Sequence, residues 1–158
     1  MTTNIFHVND DQDISSIVGD ILGDYFDLNG GSLYEFEDLM TATNAAAPCD
    51  LLIIDMSAVS PYLGGPEGFY SPMAAWMTAR PNTPIIVASG VDKGFVADVM
   101  DRIRELDITP PPVKYLELGM FFDLRLVAAI EDVGIAKCPQ KQQQRRAAAE
   151  ARKCKPQT

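Results

Sequence analysis

Polar side chains, mostly acidic, come directly after three short and mainly apolar segments of this sequence. Asn9, Asp10 and Asp11 follow the first segment, Asp55 follows the second and Ser89 follows the third. Carboxylates that lie close together repel one another, so one of them keeps a proton or a cation binds between them. A hard divalent cation prefers oxygen ligands, and Mg²⁺ suits a site to which the protein contributes few of them. Asp10 and Asp55 therefore form a candidate functional pair.

An acid at the end of a strand has a second common role, because its side chain often caps the helix that follows. Asp11 and Asp13 stand at the start of a segment whose apolar residues recur at helical intervals. We expect Asp11 to act as a helix cap, and we expect the functional role for Asp10 with Asp55.

The apolar segments before these residues are predicted to be strands of one parallel sheet. Leu51–Ile54 is apolar throughout, which is typical of a strand covered on both faces. Five strands are predicted, at Ile5–Val8, Leu33–Phe36, Leu51–Ile54, Pro84–Ala88 and Val113–Leu118. Helical spacing predicts helices within 14–25, 38–47, 70–79, 95–106 and 122–133, and Gly and Pro residues predict a loop at 60–68.

Strands that alternate with helices indicate an α/β fold, here a doubly wound, five-stranded parallel sheet with helices on both faces. In the flavodoxin-like strand order, the first, third and fourth strands lie side by side. Ligands of such sheets bind just beyond the carboxyl ends of the strands. We therefore expect Asp10, Asp55 and Ser89 to converge at one edge of the sheet.

Composition excludes several classes of protein. The 158 residues suit one domain, and no apolar run reaches the roughly 18 residues that a membrane span needs. The N-terminus lacks the pattern of a signal peptide, so we expect a cytoplasmic protein. Three cysteines without a CxxC pair argue against disulfides and zinc. His7 is the only histidine and no glycine-rich phosphate loop is present, so we expect neither a catalytic triad nor a nucleotide site, and no enzyme.

Charge divides the chain into two parts, a domain at 1–135 and a Gln- and Ala-rich tail at 136–158. The whole chain has a formal charge of −9, but seven basic residues and one acid from Lys137 onward give the tail +6 and leave −15 for the rest. The acidic part should repel nucleic acid, which only the tail could attract. The tail has no apolar stripe, so we expect it to be disordered or a frayed helix, and a solvated extension is the favoured interpretation.

Four segments of the chain, in order, resemble the receiver domains of two-component response regulators. They are Ile5–Ile14, Cys49–Asp55, Pro84–Gly90 and Tyr115–Glu117, and the resemblance runs from about Asn4 to Val133. It implies that Asp55 accepts a phosphoryl group from a histidine kinase or a histidine phosphotransfer protein. It also implies that Asp10, Asp55 and the backbone carbonyl of Ser57 bind Mg²⁺, with Ser89 and Tyr115 as switch residues.

Two positions depart from the pattern of that family. Asn9 stands where the family usually has its first acid, and a shift of one residue would instead pair Asp10 with Asp11. Leu118 stands where receivers normally have a lysine that pairs with the phosphoryl group. Lys93 and Lys114 are candidate substitutes, neither of them favoured. The loss of the lysine is expected to weaken the coupling between phosphorylation and conformational change.

Three functions are consistent with these residues. The leading hypothesis is a stand-alone receiver in a phosphorelay, which takes a phosphoryl group on Asp55 and signals by binding a downstream protein. The alternative is a pseudo-receiver, a constitutive interaction module without phosphoryl chemistry, as Leu118 and Asn9 suggest. A flavodoxin-like enzyme or ligand carrier is the least favoured, because no nucleophile with a base is present.

Overall fold

Five parallel strands form a single sheet at the centre of the molecule. A computed structural model describes residues 3–28, 33–59 and 67–154 of the chain. The strands are β1 (Ile5–Val8), β2 (Leu33–Phe36), β3 (Leu51–Ile54), β4 (Ile85–Ser89) and β5 (Val113–Glu117). Their order in the sheet is β2-β1-β3-β4-β5, and all neighbouring pairs are parallel. This order confirms the doubly wound, flavodoxin-like fold predicted from the sequence.

Helices cover both faces of the sheet. They are α1 (Gln12–Tyr25), α2 (Leu39–Asn44), α3 (Glu67–Ala79), α4 (Lys93–Glu105), α5 (Phe122–Asp132) and α6 (Pro139–Lys153). One core cluster joins the sheet to α2, α3 and α4 and includes Phe6 and Trp76, while the other joins it to α1 and α5. Every residue of β1, β3 and β4 is buried, as expected for strands covered on both sides. No helix in the described part of the chain is long and apolar enough to cross a bilayer.

Two helices depart from their predicted bounds by three residues. The second helix was predicted to run to Ala47 but ends at Asn44, because the carbonyls of Ala45 and Ala47 both accept hydrogen bonds from Arg80, at 2.9 and 3.0 Å. The third helix was predicted from Tyr70 and begins at Glu67. Residues 60–66 of the predicted loop lie outside the described residues.

The tail contains a continuous helix, α6, where disorder or a frayed helix was expected. Its residues are mainly Ala, Gln, Lys and Arg, which favour helices, and none of them is buried. Polar contacts attach its first half to the end of α1. Lys141 Nζ donates to the carbonyls of Gly23 and Phe26, while the Arg145 guanidinium pairs with Asp24 at 3.1 Å and lies 4.0 Å from the centre of the Tyr25 ring. The division of the chain at residue 135 remains a prediction.

Candidate phosphoacceptor site

The carboxyl ends of three adjacent strands bring the predicted site residues together. The N–H of Asp55 donates to the carbonyl of Val8 at 3.0 Å, which holds the end of β3 beside the end of β1. On the other side, β4 ends with Ser89, whose side chain reaches Asp55. The convergence follows from the register, in which Val8 pairs with Ile54 and Ile54 pairs with Val87.

One carboxylate oxygen of Asp55 receives three hydrogen bonds. Oδ1 accepts from Ser89 Oγ at 2.8 Å, from Ser57 Oγ at 3.0 Å and from the N–H of Ser57 at 3.0 Å. Within the described segments no hydrogen bond to Oδ2 is found. Asp55 is 9% exposed. The three hydrogen bonds fix the position of its carboxylate through Oδ1 and leave Oδ2 for further interaction.

Asp10 lies within reach of the same serine. Ser57 Oγ is 3.4 Å from Asp10 Oδ1 and 3.0 Å from Asp55 Oδ1, so both carboxylates converge on one hydroxyl. Among residues 3–28, 33–59 and 67–154 no group of three or more His, Cys, Asp or Glu side chains could hold a metal ion. Two carboxylates and a backbone carbonyl fit Mg²⁺, which usually keeps several waters.

The neighbours of Asp10 have structural roles. Asp11 caps α1, because its Oδ1 accepts from the N–H groups of Asp13 at 2.9 Å and Ile14 at 3.3 Å. This contact confirms the capping role expected for Asp11. Asn9 is buried, and its Oδ1 accepts from the N–H of Asp11 at 2.8 Å. Asn9 therefore orders the loop that presents Asp10.

Ser89 also connects Asp55 to the loop that leads into α4. Its Oγ donates to Asp55 and accepts from the N–H of Val91 at 3.1 Å. The hydroxyl of Tyr115 donates to the carbonyl of Val91 at 2.5 Å and lies 3.5 Å from that of Ser89. Desolvation, and then the charges of Glu117, Asp92 and Asp55, raise the pKa of Tyr115, so this hydroxyl keeps its proton at neutral pH.

Lysine does not occupy the end of β5. Leu118 packs against the core cluster shared with α1 and α5, and its N–H donates to the carbonyl of Ser89 at 3.4 Å. Lys114 forms an ion pair with Asp132 of α5 at 2.9 Å, which opposes its role as a substitute. Lys93 is the first residue of α4 and is exposed, with no ion pair among the residues that the structure describes.

His7 lies in the interior close to Asp55. It is 2% exposed, and its Nδ1 has no hydrogen-bond partner among the described residues. Burial lowers the pKa of His7 to about 4, although the negative charge of Asp55 opposes the shift. His7 is therefore neutral at physiological pH and packs in the core.

Sequence reasoning missed two contacts of the site. The Ser57 hydroxyl links Asp10 to Asp55, whereas only the backbone carbonyl of Ser57 was predicted to take part. A hydroxyl residue two positions after Asp55 was the available signal. The carbonyl of Val91, which accepts from Tyr115, gave no signal, because any residue supplies a carbonyl.

No family model and no curated protein matches this sequence. Solved receiver domains do match the structure. The signal receiver domain of an HD domain-containing protein from Pseudomonas fluorescens Pf-5 has a TM-score of 0.63 at 19% identity, over 84% of this chain and 94% of that one. The BeF3-activated DrrB receiver domain has a TM-score of 0.61 at 16% identity, over 84% and 97%. Chemotaxis protein CheY4 of Vibrio cholerae has a TM-score of 0.59 at 18% identity, over 84% and 99%. The chain therefore has the fold of response-regulator receiver domains.

Proposed function

We propose that this chain is a cytoplasmic receiver that accepts a phosphoryl group on Asp55 from a phosphohistidine and signals through protein contacts. The observation that carries the proposal is the convergence of Asp10 and Asp55 on Ser57, beside a carboxylate with one oxygen free of hydrogen bonds in the described segments. Asp55 would be modified by the transfer, and the chain is not proposed to act as an enzyme on other substrates.

The chemistry is a transfer between two nucleophiles. Oδ2 of Asp55 attacks the phosphorus of a phosphohistidine, so a P–O bond forms while the P–N bond breaks and its electron pair stays with the imidazole, which takes up a proton. The product is an acyl phosphate on Asp55. Ser89 and the N–H of Ser57 already donate to Oδ1, and they hold the carboxylate in position during the attack.

The negative charges at this site need a counter-charge. Asp10, Asp55 and the Ser57 carbonyl would hold Mg²⁺, which when bound offsets the charge of the carboxylates and the phosphoryl oxygens. Ser57 Oγ would then give up its contact with at least one carboxylate. No lysine contacts Asp55 in the described segments, so the cation carries a larger share of the neutralisation.

A partner protein also needs a place to bind near Asp55. Met120, Phe121 and Leu124 follow β5 at the same edge of the sheet and are 80%, 67% and 55% exposed. Phe121 has φ 60°, a left-handed conformation that is uncommon for a residue with a side chain. Exposed apolar clusters of this kind mark protein contacts, which supports docking of a phosphodonor beside the site.

The proposal predicts a single phosphoryl adduct that requires Asp55. The protein is incubated with Mg²⁺ and either acetyl phosphate or a phosphorylated histidine kinase, and its intact mass is measured. Wild type should gain one phosphoryl group, and Asp55→Asn should gain none because an amide oxygen is a poor nucleophile. A mass that stays unchanged with every donor would refute the proposal.

Adjacent acids supply the matched control. Asp10→Asn should reduce the adduct strongly, because it removes half of the carboxylate charge offered to the cation. Asp11→Asn should leave the adduct unchanged, because asparagine caps a helix about as well as aspartate. Equal effects of the two substitutions would contradict the assignment of Asp10 to the metal site.

A second function is supported by the contacts of Ser89 and Tyr115. Ser89 Oγ already donates to Asp55, and Tyr115 already donates to Val91, without a phosphoryl group. A chain in which these contacts exist beforehand could bind its target constitutively, as a pseudo-receiver. Leu118 supports this alternative, because its side chain cannot respond to charge at Asp55.

Three substitutions and a phosphoryl mimic separate the two functions. If Asp55 is phosphorylated, Ser89→Ala should slow adduct formation about 10-fold or more, since it removes one donor to a charged group. Tyr115→Phe should leave that rate unchanged, because the phenol contacts only backbone carbonyls. For a pseudo-receiver, Asp55→Asn should bind the target as wild type does, and beryllium fluoride with Mg²⁺ should not shift the amide NMR signals of residues 89–91.

A further inference from the structure

An acidic cleft lies at the carboxyl edge of the sheet, between the loop after β1 and the loop after β2. The cleft has a volume of about 470 Å³, and we define it by its three acids, Asp10, Glu35 and Glu37. All three are exposed, and none of them forms an ion pair with another described residue. The cleft therefore presents three uncompensated negative charges to a partner.

The tail helix α6 carries a matching set of positive charges. Lys141 and Arg145 are used to attach it to α1, but Arg146, Arg152 and Lys153 are exposed and form no ion pair within the described segments. These three residues are named the outer cations. Because no residue of α6 is buried, the helix has surface free for another molecule.

The two charged surfaces begin at opposite edges of the sheet. The acidic cleft includes Asp10, which follows the carboxyl end of β1. The start of α6 adjoins a different cleft of about 450 Å³, whose lining includes Thr3 and Asp50, and these residues precede β1 and β3. The base of α6 is thus at the amino edge. The attached first half of α6 and the acidic cleft thus lie at opposite edges of the sheet.

We propose that the chain associates head to tail, with the outer cations of α6 in one copy bound at the acidic cleft of the next copy. Complementary charge favours this pairing and sets its orientation. The contact joins two different surfaces, so it generates rings or open chains rather than isolated two-fold dimers. The inference shares Asp10 with the proposed Mg²⁺ site, but its test changes only Glu35 and Glu37 of the cleft, so its failure can be told apart from failure of the phosphoryl chemistry.

Other polyanions fit the helix less well. Specific DNA binding commonly uses roughly six to ten phosphate contacts, whereas α6 offers three outer cations and no aromatic side chain for base stacking. A bilayer would require an apolar face, and α6 has no large apolar residue. The net charge of −9 repels two copies at long range, but 0.1 M salt limits this repulsion to about 10 Å.

Neutral substitutions on each surface test the contact. The full chain is studied by sedimentation velocity at about 0.1 M salt, where screening removes the long-range repulsion. Wild type should associate as its concentration rises, and high salt should disperse it. Arg146→Gln/Arg152→Gln/Lys153→Gln and, separately, Glu35→Gln/Glu37→Gln should each remain monomeric. A control with three similar changes on α4, Lys93→Gln/Arg102→Gln/Arg104→Gln, should associate like wild type.

A mixture of the two non-associating variants gives the sharpest result. One variant retains the basic helix and the other retains the acidic cleft, so an equimolar mixture should form a one-to-one pair that cannot extend. A monomeric wild type at every concentration and salt, or no pair in the mixture, overturns the proposal. Binding of α6 to duplex DNA or to anionic vesicles without self-association would assign the helix to that partner instead and also overturn it.

Discussion

Lowering the pH from 7 to 4 is expected to reduce the free energy of unfolding by about 3 kcal/mol through His7 alone. In the folded chain the pKa of His7 is about 4, whereas the ordinary value is 6.5. Between these pH values the unfolded chain binds a proton that the folded chain excludes. The stability is therefore complete above pH 6.5 and is lost progressively as the pH falls towards 4.

The comparison with His7→Leu isolates this effect from the titration of the many carboxylates. Urea unfolding is followed at pH 7 and at pH 4 in both proteins. The substitution can change the stability at pH 7, but the decrease between the two pH values should be about 3 kcal/mol smaller than in wild type. Equal decreases in the two proteins would mean that His7 takes up its proton in the folded chain as readily as in the unfolded chain, and would contradict the lowered pKa.

Arg80→Ala is expected to lower the free energy of unfolding by about 3 kcal/mol or more. The guanidinium donates to the carbonyls of Ala45 and Ala47 and lies 5.0 Å from the ring centre of Phe6 and 5.1 Å from that of Trp76. The substitution leaves two partly buried carbonyls without a donor and removes a cation from two aromatic faces.

Two further substitutions show whether geometry or charge is responsible. Arg80→Lys retains the charge but not the planar group that stacks on the rings, so it should recover only part of the loss. Arg104→Ala breaks an exposed ion pair with Asp101 and should cost less than about 1 kcal/mol. Unfolding is measured by far-ultraviolet circular dichroism, because Arg80 lies against the fluorophore Trp76. A loss with Arg80→Ala no larger than with Arg104→Ala would contradict the prediction.

The sheet and the position of the site were predictable from local sequence. Leu51–Ile54 is apolar throughout and is followed at once by Asp55, so one short segment indicates both a buried strand and the residue at its end. The parallel arrangement then places the ends of β1, β3 and β4 at one edge. Consequently the contact of Asp55 with Ser89, 34 residues away, followed from strand order alone.

The features that sequence reasoning missed depend on contacts between distant residues. Ala45 and Ala47 favour helix by composition, but Arg80 binds their carbonyls from 35 and 33 residues away and α2 ends earlier. The tail lacks an apolar stripe, yet Lys141 reaches the carbonyl of Phe26, 115 residues earlier in the chain. Individual hydrogen bonds of this kind leave no periodic signal in the sequence.

The contact between Lys141 and the end of α1 has a consequence for the helix dipole. Asp11 and Asp13 lie at the N-terminus of α1, where partial positive charge accumulates, while Lys141 and Arg145 lie at its C-terminus, where partial negative charge accumulates. Both ends of α1 are thus electrostatically complemented, the first by its own acids and the second by the tail. The helix that begins beside Asp10 is stabilised from its far end by residues of the tail.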